Sequence, residues 1–165
     1  MLSNMPPGTR CFIDANIFYY SLVSTPPLSA ECIDFLKRVE RREVTATTSS
    51  AAVAEAIHKV MLAEAVQLHG LNRQGLGRRL QRQAQLIAGL TEHTKVTALI
   101  RALNLHVEPI TLDLLERAAS LSTQHLLLTN DALTTAVMEK LAISHLATND
   151  DNFDGVSGLT VWKPR

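Results

Sequence analysis

Four acidic residues of this 165-residue chain stand where they could do chemistry together: Asp14, Glu55, Asp131 and Asp150. Asp14 and Asp150 follow short apolar runs, Arg10 to Ile13 and Ile143 to Thr148, that read as buried strands ending in polar turns. Acids just beyond the carboxyl ends of strands lie where open parallel α/β sheets bind ligands. Asp131 follows Thr129 and Asn130, which can cap a helix, and so falls in a first turn where the helix dipole favours the ionised carboxylate. Glu55 is on an alanine-rich helix capped by Ser49 or Ser50 and running to Leu68. At helical spacing Val53, Ile57, Val60 and Met61 share a face, which puts Glu55 on the opposite side with His58, Lys59 and Leu62. Hard oxygen donors without paired Cys or His suit Mg²⁺ or Mn²⁺ better than Zn²⁺. The six histidines show no ligand spacing such as HExxH.

Each acid taken alone has an ordinary explanation. Asp14 and Asp150 suit turns, Asp131 suits a helix N-terminus, and Glu55 can pair with Lys59 one turn on. Only the ordered set points to chemistry, and particular elements must bring it together. Leu28 to Arg42 follows a Pro-Pro turn, and Cys32, Ile33, Phe35, Leu36 and Val39 repeat at helical spacing. Val44 to Thr48 is β-branched and predicts a second strand, and His106 to Ile110 a third. Leu112 to Ser122 and Asn130 to Leu141 predict helices, the latter with Leu133, Ala136, Val137 and Leu141 facing inward; Leu159 to Trp162 predicts a final edge strand. Gly70, Gly75 and Gly77 interrupt the helix that carries Glu55, and a long helix then resumes from Arg78 to Leu103, so residues 62–103 read as a helical hairpin. Alternating strands and helices imply one α/β domain over residues 1–165, a mostly parallel sheet with helices on both faces and the hairpin added to it.

Sixteen basic residues balance sixteen acidic ones, yet Leu71 to Arg101 holds six basic side chains against one acid, Glu92. Within that stretch Arg73, Arg78, Arg79 and Arg82 are a candidate phosphate-binding surface, the plain alternative being a solvated helix face. Tyr19, Tyr20 and Trp162 are too few to announce a base-stacking platform. Cys11 and Cys32 lack metal-ligand spacing and read as buried reduced thiols. Residues 1–10 carry no apolar signal core and no later run is long enough to span a membrane, which predicts a soluble, cytoplasmic protein.

The ordered set carries a family resemblance. Phe12-Ile13-Asp14-Ala15-Asn16 resembles the opening strand and first acid of PIN domains, and Ser49 to Glu55, with Val53 and Ala54 before the Glu, their second motif. Asn130-Asp131-Ala132-Leu133 with Ala136 resembles the third, and Leu146-Ala147-Thr148-Asn149-Asp150 followed by Phe153 the fourth. The compact form is most similar to toxins of the VapC type. That resemblance implies a metal-dependent ribonuclease from a type II toxin-antitoxin pair, usually dimeric and neutralised by a cognate antitoxin. It also implies that Asp14, Asp131, Asp150 and Glu55 hold Mg²⁺ or Mn²⁺ and act on an RNA phosphodiester, with Asn16 and Thr148 bonding the carboxylates or substrate phosphates. The chain departs from the pattern in the length of residues 62–103 and at Asn152, where a further Asp often precedes the Phe; Asp151 and Asp154 are then possible helpers. Two other readings stay open. A haloacid-dehalogenase-like phosphatase would use Asp14 as nucleophile, but Asn16 stands where its general acid belongs. A catalytically silent PIN-like module would bind RNA or protein through the hairpin.

Overall fold

A computed structural model describes all of residues 1–165. Strand β1 (Arg10–Ile13) leads into helices α1 (Ala15–Leu22) and α2 (Leu28–Glu40), strand β2 (Thr45–Ser49) and the long helix α3 (Ser50–His69). Then come α4 (Leu76–Arg82), α5 (Thr94–Ala102), β3 (His106–Glu108), α6 (Leu112–His125), α7 (Thr129–Lys140), β4 (His145–Ala147) and β5 (Thr160–Trp162). The strands pair in parallel in the order β3-β2-β1-β4-β5. The chain builds outward from β1 through β2 to β3, then returns to the other side of β1 for β4. That reversal makes the carboxyl ends of β1 and β4 a topological switch point, where neighbouring loops part and leave a crevice.

Cys11, Phe12 and Ile13 are all fully buried although successive side chains of a strand point to opposite faces, so both faces of the sheet are covered at β1. The main core unites the sheet with α1, α2, α3 and α5 and with the paired helices α6 and α7. Cys11 and Cys32 are buried free thiols, each pushed up to about 12 by burial, and so are packing groups rather than nucleophiles. No helix is long and apolar enough to cross a membrane.

Three expectations need correction. Residues after Asp14 do not form a mere turn: Asp14 caps α1, whose Ala15, Asn16, Ile17 and Phe18 are buried. The long helix from Arg78 to Leu103 is broken into α4, a 3-10 turn at Ala84–Leu86 and α5. Only Leu76 and Leu80 of α4 are buried, and the glutamines and arginines that follow supply no stripe to continue it. The excursion is tied to α3 instead. Leu76, Leu80 and Leu90 pack with Ala65 as a small second core, and Glu64 accepts hydrogen bonds from the backbone N–H groups of Thr91 and Glu92.

The third correction concerns the face of α3. Its deepest line is Ala52, Ala56 and Val60, while Val53, Ile57 and Met61 are half-buried. Alanines let α3 lie close to α1, so Glu55 sits on the shoulder of the buried face rather than opposite it. Ala56→Leu, at a fully buried position beside Glu55, is expected to lower stability by about 1–3 kcal/mol through overpacking, seen as a reduced urea midpoint at unchanged slope. A midpoint equal to that of the native chain would mean that α3 does not depend on this close approach.

Candidate active site

The carboxylate of Asp14 is buried at the switch point. Its Oδ1 accepts the N–H of Ala15 at 2.7 Å, the capping bond of α1. Its Oδ2 accepts from the side-chain amide of Asn16 at 2.6 Å and from the hydroxyl of Thr148 at 2.7 Å. Asn16 gives its second amide hydrogen to Thr148 Oγ1 at 2.8 Å and accepts the N–H of Asn149 at 3.1 Å, while Thr148 Oγ1 also accepts the N–H of Asp150 at 3.1 Å. The ends of β1 and β4 are thus sewn together through three side chains. Asn16 and Thr148, singled out from the sequence as supports, touch the carboxylate directly.

The other acids come from three further elements. Glu55 of α3 pairs with Lys59 at 2.7 Å and accepts from the amide of Asn130 at 3.2 Å. Asp131, in the first turn of α7, accepts from the amide of Asn152 at 3.1 Å. Asp150 caps the 3-10 turn Asp151–Phe153 by accepting the N–H of Asn152 at 2.9 Å. Asn152, at the position where an acid was expected, therefore links two of the acids. Asp151 and Asp154, the possible helpers, both bond Lys163 at the surface, at 2.6 and 2.5 Å.

Electrostatics set Asp14 and Asp131 apart from ordinary surface acids. Burial pushes the Asp14 carboxyl above its usual range; the Thr148 and Ala15 hydrogen bonds pull back, and the charge of Glu55 pushes further up. Asp131 is raised as well, by burial first and then by Asp150 and Glu55, against the bond from Asn152. Burial disfavours charge on Lys59, but its bond to Glu55 and the charges of Glu55 and Asp14 more than offset that and leave its pKa raised.

As the side chains stand, no three Asp, Glu, His or Cys residues lie close enough to grip one metal ion. The donor chemistry nevertheless fits a hard divalent cation: only oxygens converge, and one carboxylate is buried with no cation bonded to it. Glu55, Asp131 and Asp150 are half-buried, each held by a hydrogen bond from an asparagine. Beside them a cavity of about 270 Å³ is lined by Asn16, Tyr19, Tyr20, Lys59, Arg73 and Leu76 among others. Arg73 thus borders the site, whereas Arg78, Arg79 and Arg82 are exposed on α4. The contacts that bring Asn130, Asn152 and Tyr20 to the site link distant segments, which no local pattern reveals.

The family model described as PIN domain matches residues 11–159, nearly the whole chain. The chain belongs to the PIN domain family. Among solved structures, this PIN domain is similar to the Mycobacterium tuberculosis toxin VapC20, described as cleaving the sarcin-ricin loop: TM-score 0.59, 19% identity, 87% of this chain and 92% of that one. VapBC2 from Rickettsia felis, solved bound to a DNA fragment from its promoter, aligns with TM-score 0.60 at 15% identity over 94% of this chain and 98% of that one. PAE2754 from Pyrobaculum aerophilum aligns with TM-score 0.50 at 16% identity, covering 93% and 90%. No curated protein matches by sequence. The α/β fold expected from the motifs is therefore that of VapC-type structures, and the phosphatase alternative is set aside in favour of the PIN domain.

The raised carboxyls have a consequence for stability. Each binds its proton more tightly in the folded protein than in the unfolded chain, so metal-free stability is fullest below the unfolded carboxyl range and falls as pH rises through the raised folded values. Asp131→Asn keeps an oxygen for Asn152 and loses the repelled charge, so in EDTA it is expected to melt at or above the native chain at neutral pH, with a shallower pH slope. Asp14→Asn instead sets an amide donor against the donors of Ala15, Asn16 or Thr148 and is expected to gain less. Scanning fluorimetry across a pH series checks the order; equal slopes for all three proteins would refute it.

Proposed function

We propose that this PIN domain is a Mg²⁺- or Mn²⁺-dependent endoribonuclease and the toxin of a type II toxin-antitoxin pair. The observation that carries the reading is the buried Asp14 carboxylate at the switch point, fixed by Asn16 and Thr148, with Glu55, Asp131 and Asp150 drawn from separate elements. Asp14, Asp131 and Asp150 would hold the ion, with Glu55 completing the set. When bound, such an ion activates water and offsets charge on an attacked phosphate.

The chain's own residues set up that reaction. Asn16 and Thr148 fix Asp14 in one orientation, so its oxygens are aimed before any ligand arrives. Asn130 and Asn152 do the same for Glu55 and Asp131. Lys59 keeps positive charge among the acids where a substrate phosphate would approach. Arg73, with Arg78, Arg79 and Arg82, extends that charge away from the acids as a path for the RNA backbone. An antitoxin would sit over this site and bring a basic side chain to the acids, and the toxin would form a homodimer. Support for the toxin assignment comes from the fold shared with VapC20 and VapBC2.

RNA cleavage is expected with Mn²⁺ or Mg²⁺, abolished by EDTA and reduced by about 100-fold or more in Asp14→Asn, measured on single-stranded and structured RNAs. Equal rates for native and variant protein would sink the proposal, and the silent-module reading would take its place. Mn²⁺ is also expected to raise the melting temperature more than NaCl at matched ionic strength. Replacing both Arg78 and Arg79 by Glu is expected to weaken RNA binding and flatten its dependence on salt, since fewer phosphate contacts release fewer counterions. Unchanged binding across a salt series would return these arginines to the solvated face. Co-expression with the product of the neighbouring reading frame is expected to give a complex with suppressed activity.

A further inference from the structure

The segment between α3 and α5 makes one wall of the cavity beside the acids. Its Arg73 and Leu76 face Tyr19, Tyr20 and Asn16 of α1 and Lys59, Leu62, Ala63 and Val66 of α3. The two tyrosine rings meet edge to face, centroids 5.3 Å apart at 66°. Tyr20 is also bonded through its hydroxyl to the side-chain amide of Asn149, at 3.4 Å, in the loop that leads to Asp150. The cavity is therefore walled by aromatic and aliphatic groups, with Asn16, Lys59 and Arg73 as its polar lining, and Asn16 and Lys59 are bonded to Asp14 and Glu55.

We propose that this cavity is a nucleotide subsite, which takes the base and ribose of one RNA residue next to the phosphate that is cut. The proposal rests on the nuclease reading above and assigns the extra segment a purpose. Charge complementarity favours a nucleotide: the lining combines two cations, Lys59 and Arg73, with apolar and aromatic groups, the pairing of phosphate with base that a nucleotide presents. Size favours a single one. The volume of about 270 Å³ lies just below the roughly 300–1,000 Å³ of small-molecule clefts. Position fixes its place in the substrate, because Asn16 is shared: it lines the cavity and bonds Asp14 at 2.6 Å. A residue seated here has its phosphate beside the acids.

The test uses short single-stranded RNA carrying iodouridine at every uridine, irradiated with the full-length protein in EDTA so that no cleavage intervenes, and mapped by mass spectrometry. Crosslinks on Tyr19 or Tyr20 are the expected result. Ala63→Phe and Val66→Phe each fill the cavity from α3, and either is expected to cut the tyrosine crosslink by about tenfold, in the range of a lost base-aromatic stack. Either variant must match the native chain in far-ultraviolet circular dichroism, so failure of one to fold leaves the other. Crosslinks confined to α4, with both tyrosines bare, would overturn the subsite while leaving a nuclease that grips RNA by its backbone. Tyrosines bare to RNA but shielded by a co-expressed partner protein would overturn it too, and give the cavity to a protein segment. Absence of any divalent-dependent RNA cleavage in the native chain is a separate result, which removes the nuclease reading and this subsite with it.

Discussion

A carboxylate taken out of water must be given hydrogen bonds or a cation, or it gives up its charge. Asp14 meets that constraint by sitting where β1 and β4 end side by side. One oxygen caps α1 and the other is held by Asn16 and Thr148, so three donors, one from the backbone and two from side chains, converge on one carboxylate. The sheet order makes the convergence possible, since at the reversal between β1 and β4 the loops that follow the two strands part. Alanines at positions 52 and 56 bring α3 close, and Glu55 and Lys59 arrive with it. The remaining acids are carried by α7 and the loop after β4.

What could be read from the sequence was what local pattern dictates. Short apolar runs ending in Asp, serine before an alanine-rich helix, and Asp in a first helical turn each carry their own physical reason, so all four acids were placed on the right kinds of element. The strands and α2, α3, α6 and α7 were found within a few residues of their ends. Helix α1 was not, because Asp14-Ala15-Asn16 has the chemistry of a turn and the aromatic residues after it have no strong helical preference; burial against α3 and α5 decides it. The break after α4 was missed for the converse reason: a polar, arginine-rich stretch of good helix formers looks continuous until one asks what it would bury. The buried face of α3 was misjudged because hydrophobicity pointed to Val53 and Ile57 while close packing selected the alanines.

The contacts that complete the site lay beyond sequence reading for a common reason. Asn130 with Glu55, Asn152 with Asp131, and Tyr20 with Asn149 join residues far apart in the chain, and an asparagine carries no pattern that distinguishes a surface turn from an amide aimed at a carboxylate. Asn152 shows what a departure from a family pattern can mean. In place of another negative charge it offers a donor to Asp131 and its backbone N–H to Asp150, and so lowers the repulsion among the acids that remain.

Lys59 gives the site its electrostatic character. One ammonium stands among four acidic side chains, bonded to Glu55 and felt by Asp14, so acids outnumber the cation four to one. Two unit charges about 4 Å apart at an effective dielectric near 20 interact by roughly 4 kcal/mol, enough for such an excess to attract any cation that can enter. On the nuclease reading there are two such cations, the divalent ion and a basic side chain of the antitoxin, and they answer the same deficit. Activation and inhibition then need no separate machinery. The carboxylates that make the site useful with an ion also make it the natural seat for the group that shuts it off, and occupancy by one lowers the affinity for the other by mutual repulsion.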